Sequence, residues 1–133
     1  MKRQMLTIPV NLPGLNELIA SMNRNRYSGN KAKSGADDTV MWAIKAAGIK
    51  PVEGKAHFAI RWYCPNRRSD PDNIISAKKY ILDGMRKSGV IRNDGWSDLY
   101  MPTPFMEGIY IDRKNPRIEI EIFDLAEGEQ PYE

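Results

Sequence analysis

The sequence predicts an α+β domain, a small mixed β-sheet with helices packed on one face. Three segments carry that expectation. Ile118-Glu119-Ile120-Glu121-Ile122 alternates apolar and charged residues without a break, the pattern of a half-buried strand. Residues 55–63 also alternate and are rich in aromatic and branched side chains, which suits a second strand. Residues 72–88 set Ile74, Ala77, Ile81, Leu82 and Met85 along one helical face, with Gly89 as the C-terminal stop.

The remaining elements follow in order. Met5 to Pro9 is a short apolar run closed by Pro9 and the Pro13-Gly14 turn signal, so it reads as an opening strand. Leu15-Asn16-Glu17-Leu18-Ile19-Ala20 can start a helix, whereas residues 23–33 are polar, basic and broken by Gly29, the character of a surface segment that docks late or moves. A helix is expected over 39–47, with Asp37 and Asp38 at its start, Val40, Ala43, Ile44 and Ala47 on one face and Gly48 as its stop. Residues 65–71 form a loop. Residues 105–111 make a strand that turns at Asn115-Pro116 into 118–123, so the two are expected as a terminal hairpin with isoleucines inward and glutamates outward. A single domain is expected over 1–123, followed by an acidic, frayed tail over 124–133.

Composition narrows the class. A chain of 133 residues suits one domain, which buries roughly two-thirds of its unfolded surface. No apolar stretch approaches the ~20 residues of a membrane span, and no signal-type apolar core follows Lys2-Arg3, so a cytoplasmic protein without membrane contact is expected. One cysteine and one histidine exclude an internal disulfide and a Cys/His zinc site built within one chain. Cys64 reads as a small residue at a strand end, and His57 as a half-exposed strand residue. The formal charge of +3 hides an asymmetry: residues 1–92 carry +10 and residues 93–133 carry −7. A surplus of that size on one part of the chain suits a polyanionic partner.

One constellation stands out inside the basic part, Arg67-Arg68-Ser69-Asp70-Pro71-Asp72-Asn73. Two carboxylates two residues apart, entering a helix, can point into one small volume. Like charges that close are unfavourable unless one is protonated or a cation lies between them. Mg²⁺ commonly uses one or two carboxylates together with phosphate oxygens of a substrate. Asp94 is the third candidate. The helix between spans roughly 25 Å, so Asp94 meets the pair only if the chain after Gly89 returns as an antiparallel strand, which Val90 and Ile91 permit. The competing explanation is structural: either Asp70 or Asp72 serves as a helix N-cap, and Asp94-Gly95 is a turn. An aspartyl phosphotransferase would place its motif directly after a buried apolar strand, and the Asp-x-Asp sugar-nucleotide transferases need a far larger fold, so neither fits.

The order of these motifs resembles the RusA family of Holliday junction resolvases. Asp70-Pro71-Asp72-Asn73, the helix ending Leu82-Asp83-Gly84-Met85-Arg86-Lys87-Ser88-Gly89-Val90-Ile91, and Asn93-Asp94 carry the likeness. Leu15-Asn16-Glu17, Asn25-Arg26-Tyr27 and Lys31 resemble the phage-borne branch, so the similarity spans most of residues 5–123. The resemblance implies a homodimeric α+β fold, bacterial or phage-encoded, that cuts four-way DNA junctions symmetrically with Mg²⁺ or Mn²⁺ and no small-molecule cofactor. It carries metal and catalytic roles over to Asp70, Asp72 and Asp94. The family's lysine, three residues after the motif's asparagine, finds Ser76 here, a departure. Counted back from Leu82-Asp83, that lysine falls on Lys79, which shares a helical face with Asp72, while Lys78 is turned about 100° away and is the alternative.

The expected chemistry is phosphodiester hydrolysis, with the carboxylates holding Mg²⁺ and Lys79 facing the charge that develops. Arg67, Arg68, Asn73, Lys78, Arg86, Lys87 and Arg92 are expected on flanking DNA, with phosphate contacts that make binding salt-sensitive. Asn16 is expected on DNA as well, and Arg24, Arg26, Tyr27, Lys31 and Lys33 of the 23–33 segment at the branch point, where Tyr27 can stack on an unpaired base. A C2 dimer would set one site on each of two equivalent strands. Trp96, Tyr100, Met101, Phe105 and Met106 are its interface candidates, or else core residues. Two other readings fit the same charge pattern, a non-catalytic nucleic-acid-binding module and a nuclease selective for flaps or forks.

Overall fold

Alternation and helical spacing build a four-stranded sheet with three helical segments among the described residues. The computed structural model describes residues 1–9 and 26–131, with the backbone path alone for residues 26–34. The elements in chain order are β1 (Lys2–Pro9), α1 (Arg26–Ala47), β2 (Lys55–Cys64), α2 (Pro71–Ser76), α3 (Lys78–Lys87), β3 (Met106–Ile111) and β4 (Arg117–Leu125). The strand order is β1-β4-β2-β3, with β4 antiparallel to both neighbours and β3 parallel to β2. The mixed sheet of the α+β expectation is therefore observed.

The alternation of β4 decides which face is covered. Ile118, Ile120 and Ile122 are buried, whereas Glu119 and Glu121 lie on the opposite face, as their spacing predicts. Leu6, Ile120 and Ile60 form one row across β1, β4 and β2, each at most 1% exposed. Val40, Ile44, Ile81 and Met85 pack against that face from α1 and α3. Burying each such side chain stabilises by about 1.5–3 kcal/mol.

Two glycines set how α3 lies. A Cβ on Gly84 would sit 2.5 Å from Val40 Cγ1, so the absent side chain lets α1 and α3 approach. Gly89, at φ +79°, ends α3 in a Schellman cap. Its N–H donates to the Arg86 carbonyl at 3.1 Å, and the Val90 N–H to that of Met85 at 2.9 Å, while both Val90 and Met85 are buried.

Several expectations need correction. The single helix over 72–88 is two segments that meet at Ala77. There the Ala77 N–H reaches back three residues to Ile74 at 3.2 Å, and the Ser76 hydroxyl donates to the Asn73 carbonyl at 2.6 Å, competing with the regular helical ladder. The polar segment over 23–33 is helical from Arg26 onward, because α1 continues back from the packed stretch 36–44. Residues 105–111 and 118–123 do not pair as a hairpin. The expected turn is there, with Asp112 Oδ1 accepting the N–H groups of Lys114 and Asn115, but β2 lies between the strands it joins. Strand β4 is apolar on both faces, through Ile120 and Phe123, and takes an interior place, whereas β3 leaves Met106, Tyr110 and Ile111 exposed at the edge.

The tail is not frayed over 124–131. The Met1 amino group pairs with Glu129 Oε2 at 2.7 Å, Glu129 Oε1 accepts the Ala126 N–H at 2.7 Å, and Pro131 is buried. Met1 holds the Glu129 carboxyl below its usual range. His57 is fully buried rather than half-exposed. Its Nδ1 donates to the Tyr100 carbonyl at 3.0 Å, and Tyr100 and Phe105 meet its ring edge-on, so desolvation holds the imidazole below its usual pKa. Of the interface candidates, Tyr100 and Phe105 are partly buried against the apolar clusters, while Trp96, Met101 and Met106 are exposed. Asn16, Arg24 and the expected helix at 15–20 lie outside the described residues, as do the side chains of Arg26, Tyr27, Lys31 and Lys33. No helix among the described residues is long and apolar enough to cross a membrane.

Candidate active site

Strand β2 ends at Cys64, and the chain enters α2 through the loop over 65–70. Asn66 Oδ1 shapes that loop by accepting the Arg68 N–H at 3.0 Å, and both Arg67 and Arg68 are exposed. Asp70 follows at the N-cap position, extended at φ −67° and ψ 148°, with Pro71 setting the first helical turn. The structural explanation for Asp70 asks its carboxylate to accept a backbone N–H of α2. It makes no such bond. Asp72 Oδ1 accepts the N–H of Asn73 at 3.0 Å, and both carboxylates are exposed.

Most other acids are engaged by the fold. Asp37 binds Lys87 at 2.8 Å, Glu107 binds Lys78 at 3.1 Å, and Glu121 binds Arg3 at 3.1 Å. Asp112 and Glu119 share Arg117, and Asp124 accepts the N–H groups of Glu53 and Gly54. Asp38 and Glu127 are exposed too, but no arginine lies within three residues of either. Asp70 and Asp72 are thus a pair of oxygen donors beside an arginine pair, with no ion-pair partner among the described residues. Two hard carboxylates in one turn fit a Mg²⁺ site that takes its other ligands from water and substrate phosphate.

Asp94 is not brought to that pair by a return strand. Residues 88–98 run as turns and bends, and Val90 and Ile91 are buried without strand pairing. The Val52 N–H donates to the Val90 carbonyl, and the Ala56 N–H to that of Asp98, which ties this segment to the start of β2, whereas Asp70 follows its end. Asp94 itself is exposed, its N–H bonded to Asn93 Oδ1 at 2.9 Å. No group of three or more His, Cys, Asp or Glu side chains suited to a metal ion occurs among the described residues.

The basic residues divide in the same way. Lys78 is half-buried, 3.1 Å from Glu107 and over the Phe105 ring, so it joins α3 to β3. Lys79 is exposed with no partner among the described residues. Lys87, with Asp37, clamps α3 to α1, and that hydrogen bond together with the carboxylate's charge raises its pKa. Arg86 lies 3.7 Å from Asp83, and Arg92 lies 3.9 Å from Asp98 while remaining 92% exposed. Asn73 is half-buried beside Asp72. Cys64 ends β2 as expected, and burial pushes its thiol up, which disfavours a nucleophilic role.

Sequence reasoning missed a second group at the same end of the sheet. Tyr63 and Tyr110 stack across β2 and β3, Arg117 lies 3.9 Å over Tyr63, and the exposed Arg113 and Lys114 follow β3 directly. The signal was a basic pair, Arg113-Lys114, inside the acidic part of the chain. No family model and no curated protein sequence matches this chain.

Proposed function

We propose that this chain is a Mg²⁺-dependent endonuclease of the RusA type that cuts branched DNA, four-way junctions first, as a homodimer in the cytoplasm. The observation that carries the proposal is the pair Asp70 and Asp72, exposed in one turn beside Arg67 and Arg68, with the cap bond of Asp70 unmade and no ion pair to either among the described residues. Acids within a phosphate-binding surface weaken binding unless a cation covers them, which gives the pair a role that packing does not.

Asp70 and Asp72 would hold the ion, which supplies charge neutralisation at the phosphoryl oxygens and an activated nucleophile at neutral pH. Arg67 and Arg68 grip the flanking phosphates and fix the register of the scissile bond. Lys79 faces the charge that develops on the leaving oxygen, a role open to it because Lys78 is engaged by Glu107. Asp94 is left out of the proposed ion site, since its segment is tied to the opposite end of β2. The separate course of residues 88–98 favours a second reading, a non-catalytic nucleic-acid-binding module.

Cleavage of a synthetic four-way junction, with linear duplex and flap controls, separates these readings. Wild type should cut the junction only with Mg²⁺ or Mn²⁺. Asp70→Asn and Asp72→Asn should lose at least about 100-fold in rate, about 2.7 kcal/mol, while binding DNA as well as wild type or better. Lys79→Ala should lose rate and Lys78→Ala should not. Tight binding by wild type without metal-dependent cutting leaves the binding module. Equal cutting of linear duplex removes the junction preference.

A further inference from the structure

The face of the sheet turned away from the helices carries a three-membered stack. In the strand register Arg117 of β4 stands beside Tyr63 of β2, which stands beside Tyr110 of β3. The Arg117 guanidinium lies 3.9 Å from the Tyr63 ring centre. The Tyr63 and Tyr110 rings are 5.3 Å apart with 26° between their planes. Among the described residues strand β3 is the sheet edge, so the row ends at Tyr110, which is 48% exposed. Gly108 holds that ring in place: a Cβ there would lie 2.7 Å from the Tyr110 hydroxyl, so the ring leans over a backbone that presents no side chain.

The surroundings favour an anionic, planar occupant. Arg61 occupies the same face two residues before Tyr63, and Arg113 and Lys114 follow β3 at once; all three are exposed and have no partner among the described residues. The nearby acids, Asp112 and Glu119, are both bound to Arg117. The loop bearing Arg67, Arg68 and Asp70 leaves β2 at this same end. A flat aromatic face with neighbouring free cations suits an unpaired nucleobase and its phosphate, since every base has a π-face and stacking tolerates sequence.

We propose that Tyr110, backed by Tyr63 and Arg117, is a stacking platform for an unpaired base of single-stranded DNA, with Arg61, Arg113 and Lys114 holding the adjoining phosphates. This rests on the reading of DNA as the partner but not on cleavage. It gives the protein a means of selecting junction or fork DNA, where bases leave the duplex stack.

The test measures binding of a fluorescein-labelled single-stranded oligonucleotide and of the matching duplex, in EDTA so that no cutting occurs. Tyr110→Leu keeps an apolar side chain at the edge but removes the π-face, and Tyr110→Phe keeps both. Tyr110→Leu should weaken single-strand binding roughly 5- to 150-fold and change duplex binding less than about twofold, while Tyr110→Phe binds as wild type. Unchanged single-strand binding by Tyr110→Leu, or an equal loss on both DNAs, overturns the platform and leaves the nuclease reading standing. Conversion of a dimer to a monomer by Tyr110→Leu in sedimentation, with parallel losses on both DNAs, would assign the face to a second copy of the chain and overturn it as well. Failure of wild type to bind any DNA overturns both proposals.

Discussion

Segments α2 and α3 are consecutive, almost collinear in sequence, and differ in what holds them. Segment α3 buries Ile81, Asp83, Gly84 and Met85 and ties Lys78 and Lys87 into ion pairs. Segment α2 has no buried residue, and the acid at its cap position leaves the cap unmade. The contrast teaches how to separate residues chosen for packing from those that packing leaves unexplained. Every charged group of α3 except Lys79 has a partner in the fold, whereas those at the start of α2 face solvent with their charge available.

The largest effect on stability should come from filling the close approach on α3. Gly84→Val drives a side chain into Val40, and overpacking of this kind should lower unfolding free energy by about 3 kcal/mol. Asp72→Asn, on α2, should stay within about 0.5 kcal/mol. Urea unfolding of the two variants side by side checks this, and a comparable loss in both would break the contrast. Next comes Lys87→Met, which leaves the Asp37 carboxylate, 1% exposed, without its cation. A loss of about 1–2 kcal/mol is expected in the same urea unfolding.

The smallest effect is the pH dependence of stability that comes from a buried group of the sheet. Burial depresses the folded-state pKa of His57 below that of the unfolded chain, near 6.5. The unfolded state therefore binds more protons below that value. Stability should be fully present above about pH 6.5 and fall as pH drops, by at most about 1.4 kcal/mol per unit from this group. His57→Phe should flatten the pH 5–6.5 limb of the urea-unfolding curve.

Much of this was legible in the sequence because local rules act locally. The alternation in β4, the apolar stripe of α3 and the stop at Gly89 each depend on neighbours a few residues away, and each is observed. The strand order was not legible. Asn115-Pro116 signals a turn whether or not its flanking strands pair, and only the two-sided burial of Ile120 and Phe123 shows that β4 lies inside the sheet. The N-terminal half of α1 was missed because glycine and polar residues have weak intrinsic helix preference, which packing further along the same helix overrides. At the candidate site, Asp70 and Asp72 stood out as acids in a basic loop. The Arg117–Tyr63–Tyr110 row did not, since it exists only through the register of three strands distant in sequence.

The interior position of β4 has a consequence for how the chain is made. During synthesis β1 and β2 emerge long before the strand that joins them, so neither can complete its pairing until residues 117–125 leave the ribosome. Until then the apolar rows of Leu6 and Ile60 have no central strand between them, and the contacts to be closed span over a hundred residues, as from Leu6 to Ile120. Chains whose key contacts are this distant in sequence fold slowly and expose sticky surface while they wait. Nascent chains stalled before residue 117 should therefore depend on chaperones in a way that the released protein does not.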